Sequence, residues 1–321
     1  MAVNSPIVLL IAWFIGVAIW SRLQFGDTLF DRSPLAAIFA DAVLIGLTLR
    51  ALPLAWAAVP LALFAGHLAI RLYRYFRRFG TRSGEIFWLR TPQGVAVYCE
   101  YFAPPGVKPN KAIVIAHGIS ASAHDRLIHA IAGWLLNAGY AVFLFDEPGH
   151  CHSGGVLNLD SEYGLRAVLD EARRRGFSKV GVLGLSLGAL LGLRVASETN
   201  GFGALVFVSG FGDHAKMMKK AWAYTNPIGR AFMRFWGVRI APVFDLPDPA
   251  VAAAKVRIPV LVVHSINDGI APHEAIPPLF DAFNGPKNMT TFDSNAHAEQ
   301  HVQHHHDAFR DSLLSFLSSH I

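Results

Sequence analysis

The sequence has little cysteine and little charge. Only two of its 321 residues are cysteines, Cys99 and Cys151, and 16% of the residues are charged. Two cysteines cannot form the disulfide network of a small secreted scaffold. The sequence also has neither a Cys-x-x-Cys pair nor a His-Glu-x-x-His motif, which are common signatures of a zinc site. We therefore expect a fold that a hydrophobic core stabilises, with no metal and no cofactor.

Apolar residues are abundant instead. They make up 53% of the chain, and the mean hydropathy of +0.36 is high for an ordinary soluble domain. The excess lies near the N-terminus, where three runs carry almost no charged side chain. A helix that crosses the hydrocarbon of a bilayer needs ~20 such residues. The sequence therefore predicts a membrane anchor over residues 1–82, with about three transmembrane helices at 5–21, 34–50 and 53–72.

Two other interpretations of the apolar runs are weaker. A cleaved signal peptide would need a basic start and a small-residue cleavage site, and the first run has neither. The runs also exceed the length typical of an apolar helix buried in a soluble domain. Asp41 and His67 fall within the predicted spans. Such groups often mark function, but one carboxylate does not make a proton path, so we expect Asp41 to make a packing contact.

The net charge of +5 comes from one short segment. Residues 1–70 and residues 83–321 each balance their charges, so the excess is the five arginines between positions 71 and 82. A basic run directly after an apolar helix is typical of the cytoplasmic side of a membrane. We expect a multi-pass protein of a bacterial-type inner membrane, with membrane lipid as a partner and residues 83–321 in the cytoplasm. Nucleic-acid binding is not indicated because that domain is neutral, and the oligomeric state stays open.

Strand-like and helix-like patterns alternate from residue 84 onward. Parallel strands need such crossovers, so the pattern predicts an α/β domain with a mostly parallel eight-stranded sheet and helices on both faces. The first two strands can pair antiparallel at one edge. The predicted strands are 85–90, 95–102, 112–117, 140–146, 179–184, 203–210, 258–265 and 288–293. The predicted helices are 123–138, 161–174, 187–198, 273–284 and 297–318.

The segment GLSLG places Ser186 between a buried strand and a helix. Gly184 and Gly188 leave room for the strand and the helix to approach each other closely at such a turn. The serine would then be held in a strained conformation with its hydroxyl exposed, next to the unpaired N–H groups of the helix N-terminus. This arrangement is typical of a nucleophile. The alternative is a serine that serves only the turn.

A nucleophilic serine needs a base, and the base needs an orienting acid. Asp268 follows the strand predicted at 258–265, and His297 follows the last strand. Both lie at carboxyl ends of strands, where open α/β sheets bind their ligands. Asp268 could instead cap a helix, with Asp293 as the rival acid. The rivals of His297 as the base are His301, His304, His305 and His306. A metal bound by histidines of this stretch is a weaker alternative.

Four motifs together resemble the α/β-hydrolase fold over residues 84–321. They are the His117-Gly118 pair, DEPGH at 146–150, GLSLG, and the Asp268/His297 pair after Ser186 in the chain. The sequence is most similar to serine hydrolases that include monoacylglycerol lipases, carboxylesterases and proline-type aminopeptidases.

The resemblance implies an oxyanion hole made of the backbone N–H groups of Ile119 and Leu187. The stretch after the fourth strand departs from the usual pattern, D-x-R-G-H-G-x-S. Pro148 stands where the pattern has arginine, and Cys151 stands where it has the second glycine. This departure leaves the triad intact but weakens assignment to any one subfamily.

A cap is expected at about 211–250, between the sixth and seventh strands. Its residues are rich in Met, aromatic side chains, Lys and Arg. Such a composition suits either an ordinary cap or a helix pair that lies on anionic lipid. We therefore expect a membrane-anchored serine hydrolase that cleaves an ester of a small-molecule or lipid acyl substrate. An acyltransferase, a peptidase on the same triad and a non-catalytic binding module remain alternatives.

Overall fold

The computed structural model describes residues 84–321, except 105, 107, 120, 159–160, 200, 236 and 243–247. The predicted transmembrane helices, Asp41, His67 and the arginine run lie outside the described residues. Among the helices that are described, none is both long and apolar enough to cross a bilayer.

The described residues form one eight-stranded sheet, as the alternating pattern predicted. The strand order is β1-β2-β4-β3-β5-β6-β7-β8, and β2 runs antiparallel to both of its neighbours while the other pairs are parallel. The strands are β1 Glu85–Arg90, β2 Ala96–Phe102, β3 Lys111–Ala116, β4 Ala141–Phe145, β5 Lys179–Leu185, β6 Ala204–Val208, β7 Val260–Ser265 and β8 Lys287–Phe292.

Helices connect the strands and cover both faces of the sheet. They are α1 Arg126–Asn137, α2 Glu162–Arg174, α3 Leu187–Thr199, α4 His214–Thr225, α5 Pro227–Phe235, α6 Pro249–Ala253, α7 Ile276–Ala282, α8 His301–His304 and α9 His306–His320. Short 3-10 turns at His273–Ala275 and Ala298–Gln300 precede α7 and α8.

The prediction of one continuous helix over 297–318 is wrong. The backbone leaves helical geometry at His305, where φ is −140° and ψ is 38°, so α8 and α9 are separate. The His305 ring stacks on Phe292 with 4.2 Å between ring centroids, and its Nε2 lies 2.7 Å from Ser294 Oγ. The stack and the hydrogen bond tie His305 to β8 and the residues just after it, which fixes the break.

The core consists of two layers, one on each face of the sheet. Alternate residues of the central strands point to opposite faces, so Val182 of β5 enters one layer and Leu183 the other. Because both faces are covered, β3, β5 and β6 are almost wholly apolar and buried, which is typical of parallel strands. Burial of each Val, Leu, Ile or Phe side chain contributes ~1.5–3 kcal/mol, which makes this sheet a rigid support for the loops at its edge.

The region predicted as a cap contains α4 and α5. Met217 and Ala221, one turn apart on α4, and Met233 of α5 face inward and are buried. The chain then returns to the loop after β4, where Val238 pairs with His150 and Ile240 pairs with Leu157. These backbone pairs attach the end of the helix pair to the loop that follows β4.

The contact between α3 and β3 depends on the absence of a side chain at Gly188. A Cβ built there would lie 2.1 Å from the Ala116 carbonyl oxygen, whereas a Cβ at Gly133 in α1 would meet no atom within 4 Å. We expect Gly188→Ala to lower the free energy of unfolding by at least ~1–3 kcal/mol, because α3 must move off the sheet. Gly133→Ala should be neutral or stabilise by ~0.5–1 kcal/mol, because alanine is the better helix former.

Chemical unfolding of the full chain, followed by tryptophan fluorescence, measures both free energies. An unchanged unfolding midpoint for Gly188→Ala would contradict the close approach of α3 to β3.

Candidate active site

Ser186 occupies the single position between β5, which ends at Leu185, and α3, which begins at Leu187. Its φ of +53° lies in the left-handed region, which non-glycine residues seldom adopt. The Ser186 N–H donates a hydrogen bond of 2.9 Å to the Val208 carbonyl at the end of β6, which helps to hold this conformation. The turn directs the hydroxyl toward the carboxyl edge of the sheet, as the GLSLG segment predicts.

His297 contacts the Ser186 hydroxyl. Its Nε2 lies 2.9 Å from Ser186 Oγ, although the two residues are 111 positions apart in the chain. The His297 backbone N–H donates to Gln300 Oε1 at 2.9 Å, and Ala298 just after it has a φ of +52°. The tight turn after β8 therefore orients the ring, and the Ser186 side chain is within reach of a base.

Asp268 orients the other side of the ring. Its Oδ2 lies 2.7 Å from His297 Nδ1, and its Oδ1 accepts the backbone N–H groups of Ile270 and Ala271 at 2.8 and 2.9 Å. Burial acts to raise the pKa of Asp268, but the hydrogen bonds from His297 and the two amides outweigh it and leave the pKa below its ordinary value. Asp268 is therefore an anion at neutral pH and favours the tautomer of His297 that has its proton on Nδ1.

The rival residues make other contacts. Asp293 is exposed and accepts a hydrogen bond from Asn267 Nδ2 at 3.0 Å. His301 is buried with its Nε2 3.1 Å from Ser209 Oγ, and burial, together with its neighbour His305, lowers its pKa to about 3. His306 is paired with Asp307 at the surface. The histidines of 301–306 thus serve packing or surface contacts, and the structure brings only His297 of this stretch to Ser186.

The loop after β3 passes beside Ser186. A Cβ built at Gly118 would lie 3.4 Å from Ser186 Cβ, so this backbone approaches the serine to van der Waals distance. His117 is buried; its Nδ1 donates to the Gly118 carbonyl at 2.8 Å and its Nε2 accepts the Glu147 N–H at 2.9 Å. Burial lowers the pKa of His117, so the ring is neutral and acts as a brace between two loops.

The two predicted oxyanion donors flank this space. Leu187 is the first residue of α3, so its N–H has no acceptor within the helix. Ile119 follows Gly118 in the loop beside Ser186, and its carbonyl accepts His150 Nε2 at 3.0 Å. Burial, aided by His117, lowers the pKa of His150 to about 3, so this ring also is neutral. The Ile119 carbonyl is therefore tied to the loop after β4.

Asp146 is an anchor of this loop that the sequence did not reveal. It is completely buried at the end of β4. Its Oδ1 accepts the Ala123 N–H at 2.8 Å, and its Oδ2 accepts the N–H and Nδ1 of His152 at 3.0 and 2.9 Å. Burial acts to raise the pKa of Asp146, but the hydrogen bond and charge of His152 outweigh it and hold the pKa far below its ordinary value. One carboxylate thus joins the loop after β3 to the loop after β4.

Glu147, the next residue, has its pKa shifted in the opposite direction. It is completely buried, and neither of its carboxyl oxygens has a hydrogen-bond partner among the described residues. Burial, reinforced by Asp146 and Glu162, raises the pKa of Glu147 well above its ordinary value. Cys151 in the same loop has a φ of +36°, a left-handed conformation that favours glycine, the residue of the D-x-R-G-H-G-x-S pattern at this position.

These two neighbours predict opposite dependences of stability on pH. Folding lowers the pKa of Asp146, so this group stabilises the fold at pH values above its ordinary pKa of 3.8, and that stability is lost as the pH falls below 3.8. Folding raises the pKa of Glu147, so stability is lost as the pH rises above the ordinary pKa of 4.5. Asp146→Asn should cost ~1–3 kcal/mol at neutral pH because the Asn amide would face the donors of His152.

Glu147→Gln is the matched control, since it too replaces a carboxyl by an amide. Unfolding free energies measured from about pH 3 to 8 should flatten above pH ~4.5 in Glu147→Gln and below pH ~4 in Asp146→Asn. A Glu147→Gln profile parallel to that of the wild type would show that this carboxyl is not held neutral.

Comparisons with known proteins agree with this architecture. Residues 107–245 match a family model described as serine aminopeptidase, S33. The uncharacterized protein YqkD of Bacillus subtilis (strain 168) is 24% identical over an alignment of 238 residues, and the match covers 68% of this chain and 74% of YqkD.

Solved structures give the same result for the fold. The esterase Pf2001 of Pyrococcus furiosus superposes with a TM-score of 0.60 at 17% identity, covering 74% of this chain and 92% of its own. Est1E of Butyrivibrio proteoclasticus, solved with ferulic acid, gives a TM-score of 0.56 at 20% identity, covering 72% and 99%. The described part of the chain therefore has the α/β-hydrolase fold.

Proposed function

We propose that the protein is a serine hydrolase that cleaves carboxylic esters through an acyl-enzyme. The observation that carries this proposal is the continuous hydrogen-bonded row from Ser186 Oγ through His297 to Asp268, with separations of 2.9 and 2.7 Å. The serine aminopeptidase family match and the similarity in fold to esterases support hydrolysis as the reaction class.

The geometry supports the following steps. Ser186 Oγ attacks the acyl carbonyl carbon while His297 Nε2 takes the hydroxyl proton. The positive imidazole is stabilised by the Asp268 carboxylate, and the oxyanion accepts hydrogen bonds from the backbone N–H groups of Leu187 and Ile119. His297 then gives its proton to the leaving alkoxide. Water, deprotonated by the same imidazole, attacks the acyl-enzyme and releases the acid.

An ester is the proposed substrate because its alkoxide is a better leaving group than the nitrogen anion that cleavage of a peptide bond would release without protonation. An acyltransferase would use the same acyl-enzyme and differ only in the acceptor. Product analysis with glycerol added to the reaction separates the two: hydrolysis yields the free acid, whereas transfer yields a new ester. A peptidase would release amines from peptide substrates at rates comparable to those for esters.

The exposed face of the helix pair supports a lipophilic substrate at a membrane surface. Trp222 of α4 is 69% exposed and Ile228 of α5 is 83% exposed, although both are large and apolar. Lys216, Lys219 and Lys220 are exposed on α4 as well. Aromatic and aliphatic tips beside lysines are typical of helices that insert into an anionic lipid surface. We propose that this lipid-facing surface, Trp222, Ile228 and the three lysines, contacts the bilayer.

A location at the bacterial inner membrane, with residues 83–321 on the cytoplasmic side, is part of the same proposal. It rests on the three apolar runs and on the arginines at 71–82. An enzyme tethered in this way would meet acyl lipids at the surface where its exposed helices lie.

The nucleophile is tested by substitution of Ser186. Ser186→Ala in the full chain should abolish labelling by a fluorophosphonate probe and reduce ester hydrolysis by roughly 10³–10⁶-fold, because it removes the hydroxyl that would form the acyl-enzyme. Asp268→Asn should reduce kcat by roughly 10³–10⁴-fold, because the amide favours the wrong imidazole tautomer.

Ser318→Ala is the matched control, since Ser318 is an exposed serine of α9. It should label and turn over like the wild type. Persistent labelling of Ser186→Ala would refute Ser186 as the nucleophile. A wild type that neither labels nor hydrolyses esters would indicate a binding module and refute the proposal.

The lipid-facing surface is tested by the preference for acyl length. The double variant Trp222→Ser, Ile228→Ser should lose at least about tenfold in kcat/KM on long-chain esters in anionic vesicles, because burial of two such side chains exceeds ~1.4 kcal/mol. Hydrolysis of a short soluble ester should stay unchanged.

A matched pair exists on β1, where Trp88 is 54% and Ile86 is 56% exposed. Trp88→Ser, Ile86→Ser should leave the long-chain preference intact. An equal loss in both double variants, or a wild type that does not prefer long chains, would contradict lipid contact through α4 and α5.

A further inference from the structure

A second cluster of ionisable side chains lies away from the triad, between β2 and the start of α1. Glu100 of β2, His124 just before α1, and His129 in α1 each offer one donor atom, and these atoms lie within 4.8 Å of one another. Among the described residues, this is the one such group of three metal-binding side chains. The proposed reaction uses none of the three.

His129 has the form of a metal ligand. Its ring makes a hydrogen bond with the backbone of Ala123, and its Nε2 is buried without a hydrogen-bond partner among the described residues. Nε2, which has no such partner, is therefore the ring nitrogen available to a cation. Histidines that bind metals are oriented in this way, with the other ring nitrogen donating to a carbonyl.

Glu100 supplies the charge that a cation needs. Its side chain is buried, and its Oε1 accepts the Tyr98 hydroxyl at 2.6 Å and lies 3.1 Å from His124 Nδ1. Two ligands of a tetrahedral zinc ion, with bonds of ~2.0–2.2 Å, are about 3.4 Å apart. The Glu100–His124 separation is close to that value, and the His129 donor atom lies within 4.8 Å of both.

We propose that Glu100, His124 and His129 form a zinc site with two imidazole ligands and one carboxylate. This donor set suits Zn²⁺, and water would complete a tetrahedral shell. The two histidines are partly exposed, which gives the ion an entry path.

The ion would join β2 to the segment that carries the loop beside Ser186. The Ala123 backbone, which is hydrogen-bonded to the His129 ring, also donates its N–H to Asp146. Zinc at this cluster would therefore add a second brace to the segment that Asp146 holds, as a structural ion and without a step in the proposed reaction.

Metal content of the full chain tests the site. Protein stripped with a chelator, exposed to Zn²⁺ alone and dialysed should retain one zinc per chain, and Co²⁺ in its place should give the visible absorption of a tetrahedral ion. Glu100→Gln and His129→Gln should weaken zinc binding by more than about 100-fold, since each removes a ligand rather than a supporting contact. Zinc should raise the unfolding temperature of the wild type but not of His129→Gln.

His304→Gln is the matched control, because His304 is an exposed histidine of α8. It should keep the zinc. His124→Gln, which changes a partly exposed side chain, carries the test if circular dichroism in chelator shows that the more buried variants fail to fold. The proposal is overturned if the wild type retains no zinc, if the ligand variants bind it as tightly as the wild type, or if His304→Gln alone loses it.

Discussion

The whole active site depends on the close approach of α3 to β3. Gly188 lies against the Ala116 carbonyl, so α3 packs closely on β3. Ser186 is then the one residue between β5 and α3. A turn this short forces Ser186 to a positive φ. The stability of the surrounding sheet, which is buried on both faces, offsets this backbone strain. With the helix held there, Leu187 at its first position comes directly after Ser186, so one packing contact positions both the proposed nucleophile and a proposed oxyanion donor.

The loops around the serine are held by buried polar groups rather than by regular structure. Asp146 joins Ala123 to His152, and His117 joins Gly118 to the Glu147 amide. Each of these groups has its partners within the protein, so the loops need no bulk water to satisfy them. A loop fixed in this way would keep the proposed oxyanion donor in place before a substrate arrives, which is how a preorganised site lowers the barrier to charge development.

Much of this could be predicted from the sequence, because the strands are continuous apolar runs and parallel strands bring their carboxyl ends to one edge. Ser186, Asp268 and His297 each follow a predicted strand, which placed all three at one edge of the sheet. The break at His305 escaped prediction, because a ring stack on Phe292 overrides a helical pattern. The cluster of Glu100, His124 and His129 escaped as well, because its members come from separate parts of the chain and no spacing motif marks it.

The histidines near the site divide into two kinds according to their partners. His117, His150, His264 and His301 are buried without a carboxylate in hydrogen-bonding contact, and burial lowers the pKa of each of them. They stay neutral and act as fixed dipoles. His297 alone of these five has a carboxylate in direct contact with its ring. In the proposed reaction a proton taken from Ser186 passes to His297, because its Nε2 contacts the hydroxyl and Asp268 stabilises the positive ring.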